Sequence, residues 1–170
     1  MAWVDSLLYL VFISLIAFPI GRLIPKRWVH YDRFPFTTYD WENEGKIYNR
    51  IGIRYWMNKV PDMSRIMKKQ MKRKELPRDF SDEDVRYLLD ETCIAEFIHS
   101  LLCFAGLRCM HLWPGTGGLV FAVLYIMGNL LFVCIQRYNR PRLVRVYERV
   151  RETKNLYLNE KEMLLYEKKN

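Results

Sequence analysis

The sequence predicts an all-α integral membrane protein: about three transmembrane helices plus a cytoplasmic or interfacial amphipathic helical region. Three observations carry that expectation. The 170 residues contain three apolar runs, each long enough to cross the hydrocarbon core of a bilayer. Yet 27% of the residues are charged, so the whole chain does not lie in lipid. The formal net charge of +8 sits almost entirely between and after the apolar runs, where it suits an anionic membrane surface rather than nucleic acid.

The first element, residues 1–24, is the run AWVDSLLYLVFISLIAFPIG. No basic residue precedes Arg22, so it lacks the charged start of a cleaved signal peptide and reads as a retained span. Residues 25–80 follow as a cytoplasmic or interfacial segment, aromatic at first and then basic. Trp41, Tyr48 and Tyr55 are spaced so that a helix would present them on one side, beside cations, as suits the headgroup layer. The run MKKQMKRKELPRDF carries cations without aromatics between them and reads as a solvated, lipid-attracted face. Residues 81–136 form a long helix and a transmembrane hairpin. Ser81 with Asp82, Glu83 and Asp84 marks the helix start, by capping free amides and complementing the dipole. WPGTGG separates the second apolar run from the third and supplies the turn. Residues 137–170 form a cytoplasmic basic helical tail.

Charge also orients the set. Residues 22–90 hold 16 Lys or Arg and residues 137–170 hold 10, leaving only Arg108 elsewhere. The positive-inside rule then places both basic segments in the cytoplasm, which three spans satisfy with the N-terminus outside. The expected location is a cell membrane, crossed several times. The four cysteines lie in or beside apolar runs without CxxC spacing, and read as small core residues.

Ionisable groups are costly in hydrocarbon, so Glu96 and His99 inside AEFIHSLLCF mark a candidate site. With the turn near Pro114 and Gly115, helices of equal rise bring His99 level with Asn129, the strongly polar residue of the third run. The same register sets QRYNRPR beside Asp90 and Glu91. The result is a cytoplasm-facing polar pocket with Glu96, His99 and Asn129 inside, and Arg137, Asn139, Arg140 and Arg142 at its mouth. A purely structural reading exists, since polar groups in spans commonly just bond neighbouring helices. Glu-x-x-His is also half of a di-metal motif, but the other spans supply no matching carboxylates, so no metal is expected.

The blocks IRYWMNKVPD, ETCIAEFIH and IQRYNRPRL resemble the glycosyl-4,4'-diaponeurosporenoate acyltransferase family, and their order along the chain agrees with it. The resemblance runs along residues 20–145. It implies a small bacterial membrane enzyme that esterifies a fatty acyl group onto a sugar hydroxyl of a carotenoid glycoside. It also implies functional roles for Glu96, His99, Asn129, Gln136, Arg137, Asn139, Arg140 and Arg142, and for Trp56, Lys59 and Asp62.

Acyl transfer to a hydroxyl needs a base, and His99 is the expected one, with Glu96 orienting its ring. Asn129 or an arginine would stabilise the oxyanion, and the arginines would bind donor phosphates of acyl-CoA or of an acyl carrier protein. Besides that thioester donor no cofactor is expected; the partners are membrane lipids and a lipid-linked glycoside acceptor, without nucleic acid. Two other functions fit the composition: a non-enzymatic membrane adaptor, and another small lipid-modifying enzyme such as a methyltransferase.

Overall fold

The computed structural model describes residues 1–60 and 81–167, so Asp62 and the basic run 67–80 lie outside the described residues. Every regular element among the described residues is a helix. Three are long and apolar enough to cross a membrane. Helix α1 spans Ala2–Leu23, and α2 is a single turn, Ile53–Trp56. Helix α3 spans Asp82–Gly106, α4 is the short turn Cys109–Leu112, and α5 runs without interruption from Thr116 to Glu167.

The 22 residues of α1 rise about 33 Å, the thickness of a bilayer core. Its tyrosine and small residues seat it on α3. The Tyr9 hydroxyl donates to the Ala105 carbonyl at 3.0 Å. At the other end, a Cβ on Gly21 would meet Ile98 at 3.3 Å. These two contacts run in opposite directions along the chains, so α1 is antiparallel to α3. Ser14 and the Tyr125 hydroxyl, 2.8 Å apart, tie α1 to α5 as well.

Ser81 caps α3 as its sequence predicts: its Oγ accepts from the Asp84 amide at 3.2 Å, and Asp84 accepts in return from the Ser81 amide at 3.1 Å. The long second helix expected from the sequence ends at Gly106 and resumes as α4 before the turn. Gly118 is required there, because a Cβ would stand 2.1 Å from the Trp113 carbonyl oxygen. Helices α3 and α5 then pack antiparallel. Large apolar side chains such as Leu8, Phe12, Leu15, Phe104, Leu124 and Met127 point outward, as bilayer-facing surface.

The third span and the basic tail are one helix. Its 52 residues make about 78 Å, of which more than half projects past the apolar run. Pro141 lies inside it and is buried. A proline there removes the bond to the Arg137 carbonyl, four residues back. Gly45 packs where this happens: its Cβ position is 3.2 Å from the Tyr138 oxygen and 3.4 Å from that of Arg137.

The segment between α1 and α3 is helical only in short pieces. The 3-10 turns Lys26–Trp28, Asp40–Glu42, Lys46–Ile51 and Met57–Lys59 flank α2. Asn43, Glu44, Gly45 and Gly52 all have positive φ and break any continuous helix. Trp41 and Tyr55 are therefore exposed while Tyr48 is buried, and the three aromatics do not share one face.

Candidate active site

Two polar groups lie where the loop, α3 and α5 meet. The inner one is His99 on α3 and Asn129 on α5. His99 Nδ1 and Asn129 Oδ1 are 2.9 Å apart. The Asn129 amide nitrogen donates to the Tyr125 carbonyl at 2.9 Å, so its oxygen faces the ring. An amide oxygen only accepts, which puts a proton on Nδ1, so that Nε2 carries the lone pair whenever the ring is neutral. Phe132 stacks on the ring at a centroid distance of 4.5 Å and an interplanar angle of 4°. The register deduced from the turn is the one that joins these residues.

The outer group is a buried ion network of Glu42, Arg137, Glu96 and Arg140. Arg137 and Arg140 are three apart on α5 and project from one face. Glu96 is shared between them, with Oε1 at 2.6 Å from Arg137 Nη1 and Oε2 at 2.5 Å from Arg140 Nη2. Arg137 also donates from Nε and Nη2 to Glu42, at 2.7 and 3.0 Å. Glu42 is 1% exposed and belongs to the loop; it accepts from the Tyr39 amide at 2.8 Å and the Tyr48 hydroxyl at 2.6 Å. Burial, and next this hydrogen bond, push the Tyr48 hydroxyl above its ordinary pKa, so it stays protonated and donating.

The remaining arginine donors hold the loop backbone. Three consecutive carbonyls that no helix satisfies are taken in turn: Pro35 by Arg137 Nη1 at 3.3 Å, Phe36 by Arg140 Nη1 at 2.7 Å, and Thr37 by Arg137 Nη2 at 3.1 Å. Arg140, only 1% exposed, also reaches Thr92 Oγ1 and the Thr92 carbonyl, both at 3.1 Å.

This geometry differs from the sequence expectation in two ways. Glu96 places both carboxylate oxygens on arginines, and the group pinning the His99 ring is Asn129. Arg137 and Arg140 are not an open mouth: carboxylates and loop carbonyls occupy their donors, because the loop folds over them. Gln136 is buried and Asn139 half-buried on the same stretch of α5, outside this network. Arg142 lies one turn further out, its guanidinium 3.5 Å from the Tyr138 ring centroid. Trp56 is half-buried and donates to the Ile51 carbonyl at 2.9 Å, and Lys59 is exposed. Glu42, Tyr48 and Thr92 were not foreseen. The signal for Glu42 was arithmetic, since Glu96 alone does not balance two inward-facing arginines.

Known proteins decide the family. A family model described as glycosyl-4,4'-diaponeurosporenoate acyltransferase matches residues 26–149. The chain belongs to that family. It is accordingly an acyltransferase by descent, with the network residues and the His99–Asn129 pair all inside the matched region. Proteins named glycosyl-4,4'-diaponeurosporenoate acyltransferase from Staphylococcus aureus strains bovine RF122 / ET3-1, MRSA252 and USA300 are each 24% identical to it over 140 residues. The match covers 82% of this chain and 84% of each relative. No solved structure matches the chain.

Proposed function

We propose that this enzyme moves a fatty acyl group from a cytoplasmic thioester donor to a sugar hydroxyl of a lipid-linked glycoside, with His99 as general base. A carotenoid glycoside is the acceptor that the relatives' name suggests. His99 Nε2 takes the hydroxyl proton as the oxygen attacks the thioester carbonyl carbon. The tetrahedral intermediate collapses with cleavage of the carbon–sulfur bond, and the imidazolium returns the proton to the departing thiolate. Asn129 is a positioning residue that fixes the tautomer and the ring plane, the role expected of Glu96 on sequence. Glu96 instead anchors the arginines beside the base, one helical turn away.

The observation that carries this reading is the His99–Asn129 pair, which fixes the ring of a histidine about 10 Å below the end of the apolar run. Orientation follows the basic residues. The loop and the start of the tail meet at one end of the bundle through Arg137 and Arg140, so one assignment puts both in the cytoplasm, where acyl-CoA and acyl carrier protein reside. Single-turnover acyl transfer to a glucoside in detergent tests the base. His99→Ala should lose roughly 10²–10⁴-fold in rate while the protein inserts and unfolds normally. A variant within a few-fold of wild type would leave His99 a structural residue.

A further inference from the structure

Each carboxylate at the loop–α5 junction has its cations. Glu42 and Glu96 hold Arg137 and Arg140, and Glu44 pairs with Arg145 at 2.7 Å and Lys46 at 3.9 Å. The stretch from Lys46 to Lys59 contains no acid but four cations. Among the described residues, Arg54 and Arg142 form no ion pair, yet one side chain gathers both. Arg54 Nε donates to the Tyr138 hydroxyl at 3.1 Å, while the Arg142 guanidinium lies 3.5 Å from the Tyr138 ring centroid. Tyr138 is itself fixed, 3% exposed in a cluster with Tyr48 and Ile53. The size of one tyrosine keeps the two like charges within about a Debye length, and no acid among the described residues pairs with either.

We propose that Arg54 and Arg142, held by Tyr138, form the binding site for the phosphate at the foot of the donor's pantetheine arm. This rests on the thioester-donor reading. Guanidiniums with open N–H groups match phosphate oxygens in forked pairs, and Arg54 is solvent-exposed with only its Nε engaged. Arg142 lies 13 residues along α5 from Asn129, a rise of about 20 Å, comparable to an extended pantetheine arm. A phosphate at this site therefore leaves the thioester within reach of His99. The same phosphate occurs in coenzyme A and on a carrier protein.

Equilibrium binding of coenzyme A, adenosine 3',5'-bisphosphate and pantetheine 4'-phosphate, to protein in zwitterionic nanodiscs, separates the sources. Coenzyme A should bind wild type, and Arg54→Gln with Arg142→Gln should weaken it at least tenfold. Equal affinity for pantetheine 4'-phosphate assigns recognition to the shared phosphate; competition by the bisphosphate alone assigns it to the nucleotide of coenzyme A and overturns the proposal. Tyr138→Phe, which keeps the ring and frees Arg54, should weaken binding several-fold and serves if the double variant folds poorly. Unchanged coenzyme A affinity in the variants overturns the proposal, as does absent binding to wild type combined with reduced binding of the variants to anionic vesicles. No turnover is involved, so this result is independent of whether His99→Ala abolishes transfer.

Discussion

Arg137→Lys keeps a positive charge at the centre of the buried network and removes the fork that organises it. In the native protein this guanidinium reaches two acids and two loop carbonyls, through contacts of 2.6 to 3.3 Å. An ammonium has three donors on one atom, so it cannot serve Glu42, Glu96, Pro35 and Thr37 from a single position. At least two of the five bonds are lost. Net values of about 1–3 kcal/mol for bonds of these kinds give an expected loss of roughly 2–4 kcal/mol. Arg137→Ala leaves Glu42 with no cation and should cost about 3–5 kcal/mol. Titration with sodium dodecyl sulfate in mixed micelles, followed by tryptophan fluorescence, measures both. If Arg137→Lys is within about 0.5 kcal/mol of wild type while the apparent donor affinity falls, the arginine binds donor and the clamp assignment is wrong.

Other substitutions separate the two polar groups. Glu96→Gln turns one N–H donor towards a guanidinium, so it should destabilise by about 2 kcal/mol or more in the same titration, whereas His99→Ala should cost under about 1 kcal/mol; equal losses would mean that the two groups act as one. Asn129→Ala frees the imidazole ring and should slow single-turnover transfer roughly five- to tenfold, the value of one hydrogen bond, with donor affinity unchanged; no effect on rate would remove Asn129 as the positioning residue. Gly45→Ala must adopt φ near 80° with its Cβ 3.2 Å from the Tyr138 oxygen, and should cost at least about 1–2 kcal/mol; a neutral result would show that the loop docks differently. With native cysteines replaced, a membrane-impermeant maleimide should label Thr116→Cys in intact cells and leave Glu160→Cys unlabelled; the reverse pattern would invert the proposed orientation.

The spans were legible because apolar length and helical rise are nearly independent of context. The turn at WPGTGG and the constant rise brought His99 to Asn129 before any packing was considered. Ser81 was legible for a similar reason, since a cap acts within four residues. The loop was not. Its path depends on Asn43 and Glu44 in the left-handed region, and neither residue type announces a positive φ as glycine does. Aromatic spacing therefore suggested one face, while the chain turned Tyr48 inward and left Trp41 and Tyr55 outside. The role of the arginines was hidden for a different reason. QRYNRPR shows that cations stand at the membrane boundary, but whether they face solvent or carboxylates depends on where Glu42 falls, some 95 residues away. Pro141 stays inside the helix and is buried there.

Arginines at this boundary accomplish something that apolar packing does not. The loop from Pro35 to Thr37 presents successive carbonyls at the end of the bundle, where α5 meets it side-on and offers no backbone amide. Leucines at positions 137 and 140 would fill comparable volume, yet they would leave the Phe36 and Thr37 carbonyls without donors and Glu42 and Glu96 without cations. Each unpaired buried carbonyl costs about 1–3 kcal/mol. A planar fork supplies several donors from one side chain, so two arginines from one helix face satisfy the loop and both acids together. Glu96 brings the clamp next to the proposed base, because it stands one turn from His99 on the same helix. Where the loop sits and how α3 is held against α5 are consequently fixed by the same four side chains.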